Sequence, residues 1–214
     1  MLAIAGGKGG CGKTTTALGL AAALARDGQR PLVVDADCDM PNLHTMAEVA
    51  RHPGVDAVDD GESIAIATHR SDVAPGVDVL PAGSATGPIG ETALRRLARA
   101  PQRVILDCPA GATDAAAAPL RGADAALVVS TADRASLSDA VKTARMVEAL
   151  DARALGSVIT RSPSQSPLPP DSDTARVLEP VLATVPSVDG AVLRSRVGRA
   201  SYDRLATALA RRNI

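Results

Sequence analysis

The chain has 214 residues, 23 Lys+Arg against 24 Asp+Glu and a formal net charge of -1; so even a balance carries no general attraction for nucleic acid or an anionic membrane, and the length predicts one α/β domain over residues 1–214. Hydrophobic residues make up 46%, with no Phe or Trp and one Tyr, so the core has to be built from Ala, Val, Leu and Ile. Three cysteines exclude a disulfide scaffold, no apolar stretch reaches the ~18 residues of a bilayer span, and the apolar start runs into a glycine-rich loop instead of a signal-peptide cleavage site, which predicts a cytoplasmic protein.

Leu2-Ala3-Ile4-Ala5 is a short apolar run that predicts a buried strand. Gly7-Lys8-Gly9-Gly10-Cys11-Gly12-Lys13-Thr14 follows and fits the phosphate-loop pattern of Gly, four residues, Gly-Lys-Thr. Thr15 to Asp27 predicts a helix with Leu20 and Leu24 on its packing face, ended by Gly28. Strand, glycine turn and helix N-terminus together form an anion site, because backbone N–H groups and the helix dipole both favour negative charge there. Lysine usage sharpens this. Lys occurs only at positions 8, 13 and 142, and the other 20 basic residues are Arg. Two of the three lysines thus sit in one eight-residue loop, where a compact point charge fits a phosphate cradle better than the wide guanidinium fork.

Pro31-Leu32-Val33-Val34-Asp35 predicts a buried parallel strand ending on an acid. Residues 51–76 are rich in Asp, Gly and Pro and predict mostly irregular chain, with a short strand over Ser63 to Thr68. Val77 to Leu80 is a better strand, and Glu91 to Ala100 a helix ended by Pro101. Arg103 to Asp107 is a second apolar strand ending on Asp, and Ala125 to Ser130 a third buried one. Ser136 with Asp139 fits a capping box for a helix carrying Leu137, Val141, Ala144 and Val147. Leu155 to Thr160 and Val181 to Val185 are further strands, the Pro-rich Ser162 to Asp171 a surface loop, and Tyr202 to Arg212 the last helix. Alternation of strand and helix predicts an α/β fold: a mostly parallel twisted sheet with helices on both faces, the architecture of a P-loop NTPase.

A nucleotide triphosphatase needs a phosphate cradle, a magnesium ligand, an acid for magnesium-bound water and a group that orients the attacking water. The loop supplies the cradle. Thr14 is placed to ligate Mg2+ through its hydroxyl, and Asp107, at the end of an apolar strand, to hold it through water. Asp35, Asp37 and Asp39 alternate along one short stretch. Acids so close repel unless cations or donors surround them, which fits a metal–phosphate site nearby.

These residues resemble the MinD/ParA family of ATPases with a deviant Walker A loop. Lys8-Gly9-Gly10-Cys11-Gly12-Lys13-Thr14-Thr15 carries the extra early lysine of that loop. Val34-Asp35-Ala36-Asp37, continuing to Pro41-Asn42-Leu43, is similar to the first switch, and Leu106-Asp107-Cys108-Pro109-Ala110-Gly111 to the second. Ile159-Thr160-Arg161 resembles the strand end that contacts adenine, and Val185-Pro186 with Val192-Leu193-Arg194 the segment closing over the base. The MinD branch fits better than ParA. The resemblance implies a slow ATP hydrolase that uses ATP and Mg2+ as a timer for intracellular positioning, at the division site, the chromosome or polar and motility machinery. It implies nucleotide contacts from Gly7, Lys8, Gly9, Gly10, Cys11, Gly12, Lys13, Thr14 and Thr15, and from Thr160, Arg161 and Pro186. Lys13 would bind the β- and γ-phosphates and Asp35 would hold a magnesium water. Asp37 would position the attacking water. Lys8 would reach the ATP of a second subunit, making an ATP-dependent homodimer that serves a regulatory protein or cargo.

The surface such a dimer would use is less legible. Residues Ser201 to Ile214 hold Leu205, Leu209 and Ile214 among basic residues but much Ala and no Phe or Trp, so they predict a packing helix instead of a membrane anchor. Six Arg against one Asp in residues 191–214 predict an ordinary basic face ahead of a non-specific DNA surface. Residues 35–78, by contrast, carry ten acids against two Arg. Iron–sulfur carriers and nitrogenase-type reductases use the same fold, but Cys11, Cys38 and Cys108 form no close pair. Amide ligases of this fold and a non-hydrolysing nucleotide scaffold are less favoured, by Lys8 and by the retained Asp37 and Asp107 respectively. His44, His52 and His69 share no ligand spacing.

Overall fold

The structure is a computed structural model and describes residues 1–162, 168–169 and 172–212. Its elements run β1 (Leu2–Gly6), α1 (Lys13–Arg26), β2 (Pro31–Asp35), α2 (Leu43–Met46), α3 (Val55–Asp59), α4 (Ile64–Ala67), β3 (His69–Arg70), β4 (Asp78–Leu80) and α5 (Glu91–Leu97). They continue with β5 (Arg103–Ala110), α6 (Asp114–Gly122), β6 (Ala125–Thr131), α7 (Arg134–Ala149), β7 (Arg153–Thr160), α8 (Asp173–Leu178), β8 (Val181–Val185), a 3-10 turn (Val192–Arg194) and α9 (Arg196–Ala210). The strands form one eight-stranded sheet in the order β3-β4-β2-β5-β1-β6-β7-β8. All neighbours are parallel except β3 and β4. The predicted fold is therefore the observed one.

Strand alternation divides the core. Leu2 and Ile4 of β1 face a layer with Leu20 and Leu24 of α1 and Leu205 and Leu209 of α9. Ala3 and Ala5 face the other side, with Leu94 and Leu97 of α5 and Leu120 of α6. The near-absence of aromatics is resolved by close approach. The ring of Tyr202, the sole aromatic, lies against helix glycine Gly19, where a Cβ would stand 2.4 Å from Tyr202 Cδ2.

Several local expectations are corrected. Ser63 to Thr68 is not a strand: Ser63 Oγ accepts the Ile66 N–H and starts the short helix α4. The irregular stretch also contains α3. Ser136 and Asp139 do not cap α7. The cap is Asp133, whose Oδ1 accepts the Ser136 N–H at 2.9 Å, while Ser136 Oγ accepts the Thr131 N–H and bonds Ser130 Oγ. Asp139 lies one turn inside the helix and pairs with Lys142. Helix α9 begins at Arg196 instead of Tyr202, capped by Ser195 Oγ, which accepts the Gly198 N–H at 3.0 Å. Helices α6 and α8 are additional; α6 is capped by Thr113 and carries Pro119 inside it. Most of the Pro-rich loop, and Asn213 and Ile214, lie outside the described residues. No helix among the described residues is long and apolar enough to cross a membrane.

Candidate functional site

The central strand β1 delivers the chain to the glycine loop at the carboxyl edge of the sheet, between β5 and β6. The loop is wedged tightly at its entrance. A Cβ on Gly6 would stand 2.6 Å from Val129 O, and one on Gly7 2.4 Å from Asp139 O. Farther on it is open: a Cβ on Gly9 or Gly10 would meet nothing within 4 Å. That open backbone at the N-terminus of α1 is the concavity an anion needs. Gly10 and Gly12 take φ of +73° and +97°, which glycine adopts without steric cost. Cys11 turns inward and is buried, and its carbonyl accepts the Thr160 hydroxyl at 2.6 Å. Thr160, at the end of β7, thereby pins the loop to the sheet.

Lys13 and Lys8 part company. Lys13 is buried at 8% exposure, and its ammonium reaches back along the loop to donate to Lys8 O at 3.4 Å. Its side chain lines a cavity of about 320 Å³ with Gly9, Gly10, Thr14, Asp37, Asn42 and Asp107. The Lys8 side chain is about half exposed and stands 4.0 Å from Asp133 Oδ1, at the cap of α7. The Thr131 hydroxyl hydrogen-bonds Asp133 and holds its carboxyl below the usual carboxylate range.

Asp35 ends β2, but β5 does not end on Asp107 as the sequence predicts: it runs on to Ala110, because it keeps pairing with β1 as far as Gly6. Asp35 of β2 and Asp107 of β5 are in register. Asp35 is fully buried, and its two oxygens accept the Asp37 and Leu43 N–H groups at 3.2 and 3.1 Å. It therefore ties down the segment from Asp37 to Leu43. Burial pushes the carboxyl groups of Asp35 and Asp107 up to about 7. Asp107 is 2% exposed and its Oδ1 has no hydrogen-bond partner. Thr14 is its hydroxyl neighbour and counters part of that rise; the Thr14 hydroxyl itself donates to Asn42 Oδ1 at 3.0 Å. Asp37 is half-buried, raised by burial, and accepts the Met40 N–H at 3.2 Å. A buried carboxylate oxygen without a donor costs free energy. A divalent cation with its waters, held between Thr14 and Asp107, would satisfy it, so the donor set of hard oxygens fits magnesium.

A second cavity, of about 230 Å³, adjoins the first and shares Gly12, Thr15 and Arg161 with it. Pro186, Val188, Val192 and the Tyr202 ring make its apolar walls. Arg161 has a left-handed φ of +49°, a strained position for a non-glycine residue and a marker of functional sites. The predicted base-side residues Thr160, Arg161 and Pro186 all border this cavity. Asn42 and Val192, named in sequence only as parts of motif segments, line these cavities; Met40 and Val188 were not singled out, and their signal was only proximity to those segments. A larger cavity, about 390 Å³, lies at the opposite end of the strands among Leu2, Arg103 and Arg153, remote from the acids.

The three cysteines are free and buried separately, Cys11 beneath the loop and Cys38 and Cys108 in the layer under the switches. Burial pushes their thiols up, Cys38 to about 12. Among the described residues, no three His, Cys, Asp or Glu gather as metal ligands.

Comparison with known proteins agrees with this geometry. Residues 2–195 match the family model of the CobQ/CobB/MinD/ParA nucleotide binding domain. An uncharacterised ATP-binding protein of Methanocaldococcus jannaschii is 31% identical over 195 residues, covering 86% of this chain and 73% of the relative. The septum site-determining protein MinD of Synechocystis is 27% identical over 170 residues. There the match covers 75% of this chain and 64% of the relative, so the chain spans less than two thirds of that protein's length. The crystal structure of the cell division ATPase MinD of Pyrococcus furiosus superposes with a TM-score of 0.78 at 26% identity, covering 98% of each chain. With the loop, the two switch acids and the family model in agreement, this chain belongs to the CobQ/CobB/MinD/ParA nucleotide-binding family.

Proposed function

We propose that the chain is an ATPase switch of the MinD kind. It binds ATP with Mg2+, pairs with a second copy while ATP is bound, separates on hydrolysis, and so positions a regulatory protein or cargo within the cell. The observation that carries this reading is the divergence of the two loop lysines. Lys13 is buried in the cavity with the acids, whereas Lys8 stands half exposed on the far side of the loop. A lysine used only for its own nucleotide has no reason to leave the cavity.

Each residue then has a task. The open amides of Gly9, Gly10 and Gly12 and the Lys13 ammonium hold the phosphates, as backbone donors and a point charge do. The Thr14 hydroxyl and the unpartnered Asp107 oxygen would hold magnesium, which would neutralise phosphate charge when bound. Asp35, with both oxygens accepting backbone N–H groups, fixes the segment that follows β2 and would hold a magnesium water through its remaining lone pairs. Asp37, half-buried and lining the cavity, orients the attacking water. Arg161, Pro186 and Val192 border the base.

An iron–sulfur role is less well supported, because all three cysteines are buried and, among the described residues, no three His, Cys, Asp or Glu gather as metal ligands. The experiment that tests the reading is phosphate release from Mg-ATP. The wild-type chain should turn over slowly and Asp37→Ala should stop while still binding ATP. An Asp37→Ala variant that hydrolyses at the wild-type rate contradicts it.

A further inference from the structure

The switch segment carries a third acid, Asp39, which the chemistry above does not use. Its Oδ1 accepts the Gly87 N–H at 2.7 Å, across 48 residues of sequence. Gly87 lies in the turn from β4 to α5 and has a left-handed φ of +72°. That turn is gripped at both ends. Arg51 Nε donates to Gly83 O at 2.8 Å, and Asp56 Oδ2 accepts the Ser84 N–H at 2.9 Å. Beyond it, Asp59 Oδ1 accepts the Ala93 N–H at 3.0 Å. Asp39 thus ties the switch to a turn that is itself held by Arg51 and by the acids of α3.

The residue between the two switch acids completes the lever. Cys38 is 3% exposed and packed in the layer with Leu80, Ala82 and Cys108. On one side of it Asp37 lines the phosphate cavity; on the other Asp39 holds Gly87. A three-residue segment fixed at its centre and at one end has little freedom at the other. We infer that Asp39 is a positioning residue: by bonding Gly87 it fixes the switch against the β4–α5 turn and so holds Asp37 where the attacking water is oriented. This rests on the reading of Asp37 proposed above.

The test uses the full chain with Asp39→Ala and Asp39→Asn, because Asn keeps an Oδ1 acceptor and loses the charge. Two readouts are taken: hydrogen exchange at the Gly87 amide, and ATP turnover beside ATP affinity. In Asp39→Ala, Gly87 should exchange about tenfold faster as its bond is lost. Turnover should fall by about tenfold or more, since small misplacements of a catalytic group are costly. The dissociation constant for ATP should stay within about twofold, since Asp39 touches no part of the cradle. Asp39→Asn should restore both exchange and turnover. Wild-type turnover in Asp39→Ala, or an Asn variant as slow as the Ala variant, overturns the inference. Asp37→Ala is measured alongside. If it is inactive while Asp39→Ala is unimpaired, the positioning role alone fails; if it turns over normally, the reading of Asp37 fails with it.

Discussion

Asp35, the last residue of β2, and Asp107, inside β5, stand side by side in register, and both are buried. Burial pushes each up to about 7, whereas in an unfolded chain each ionises near its ordinary value of 3.8. The pair therefore makes the stability of the nucleotide-free protein depend on pH with an unusual sign.

Below the unfolded pKa both states hold the protons and no stability is lost. As pH rises from about 4 to about 7 the unfolded chain gives up protons that the folded chain keeps, so stability falls. Urea unfolding of the nucleotide-free protein should lose on the order of 5 kcal/mol from this pair between pH 5 and pH 7.5, roughly half from each carboxyl. Asp107→Asn, neutral at every pH, should remove a large part of that slope. Saturating Mg-ADP should flatten it too, because the bound cation favours the ionised carboxylates. A stability that rises with pH over this range contradicts the burial argument.

The site was largely legible in sequence because its residues are fixed by local spacing. The phosphate loop, Asp35, Asp37 and Asp107 lie in or directly after short apolar strands whose pattern is short-range. What could not be read is long-range. Asp39 meets Gly87, Thr160 meets the Cys11 carbonyl and Tyr202 meets Gly19 only after the sheet order is set. Helix ends failed for a related reason. Gly198 looks like a helix breaker until α9 packs so close to Val192 O, 2.1 Å from where a Cβ would be, that only glycine fits. Ser136 looks like a cap until Ser130 and Thr131 claim its hydroxyl. Pro119 hides α6 in the same way.

The Thr160 hydroxyl ties β7 to the loop through Cys11 O at 2.6 Å and is buried. Thr160→Val keeps the shape and removes the donor, leaving a buried carbonyl short of a partner. The cost should be about 1–2 kcal/mol of stability. ATP affinity should drop severalfold as the loop loosens, measurable by titration calorimetry. Unchanged affinity would mean that the loop holds its shape without this bond.

At Gly19 two effects oppose one another. Ala gains about 1 kcal/mol of helix propensity over Gly. Yet its Cβ would stand 2.4 Å from the Tyr202 ring, and overpacking costs about 1–3 kcal/mol. The clash involves a rigid, buried ring, so it should win. Gly19→Ala is expected to lower Tm by about 2–6 °C, read by calorimetry, and a raised Tm would show that the ring can step aside.

The central claim is that one loop serves its own subunit through Lys13 and a neighbour through Lys8. Light scattering with a non-hydrolysable ATP analogue and Mg2+ tests it most directly. The wild-type chain should double its mass, while Lys8→Ala should bind the analogue with affinity within about threefold and stay monomeric, since Lys8 lies outside the cavity that Lys13 lines. A Lys8→Ala protein that dimerises as readily as wild type, or a wild-type chain that stays monomeric with the analogue bound, would contradict the account.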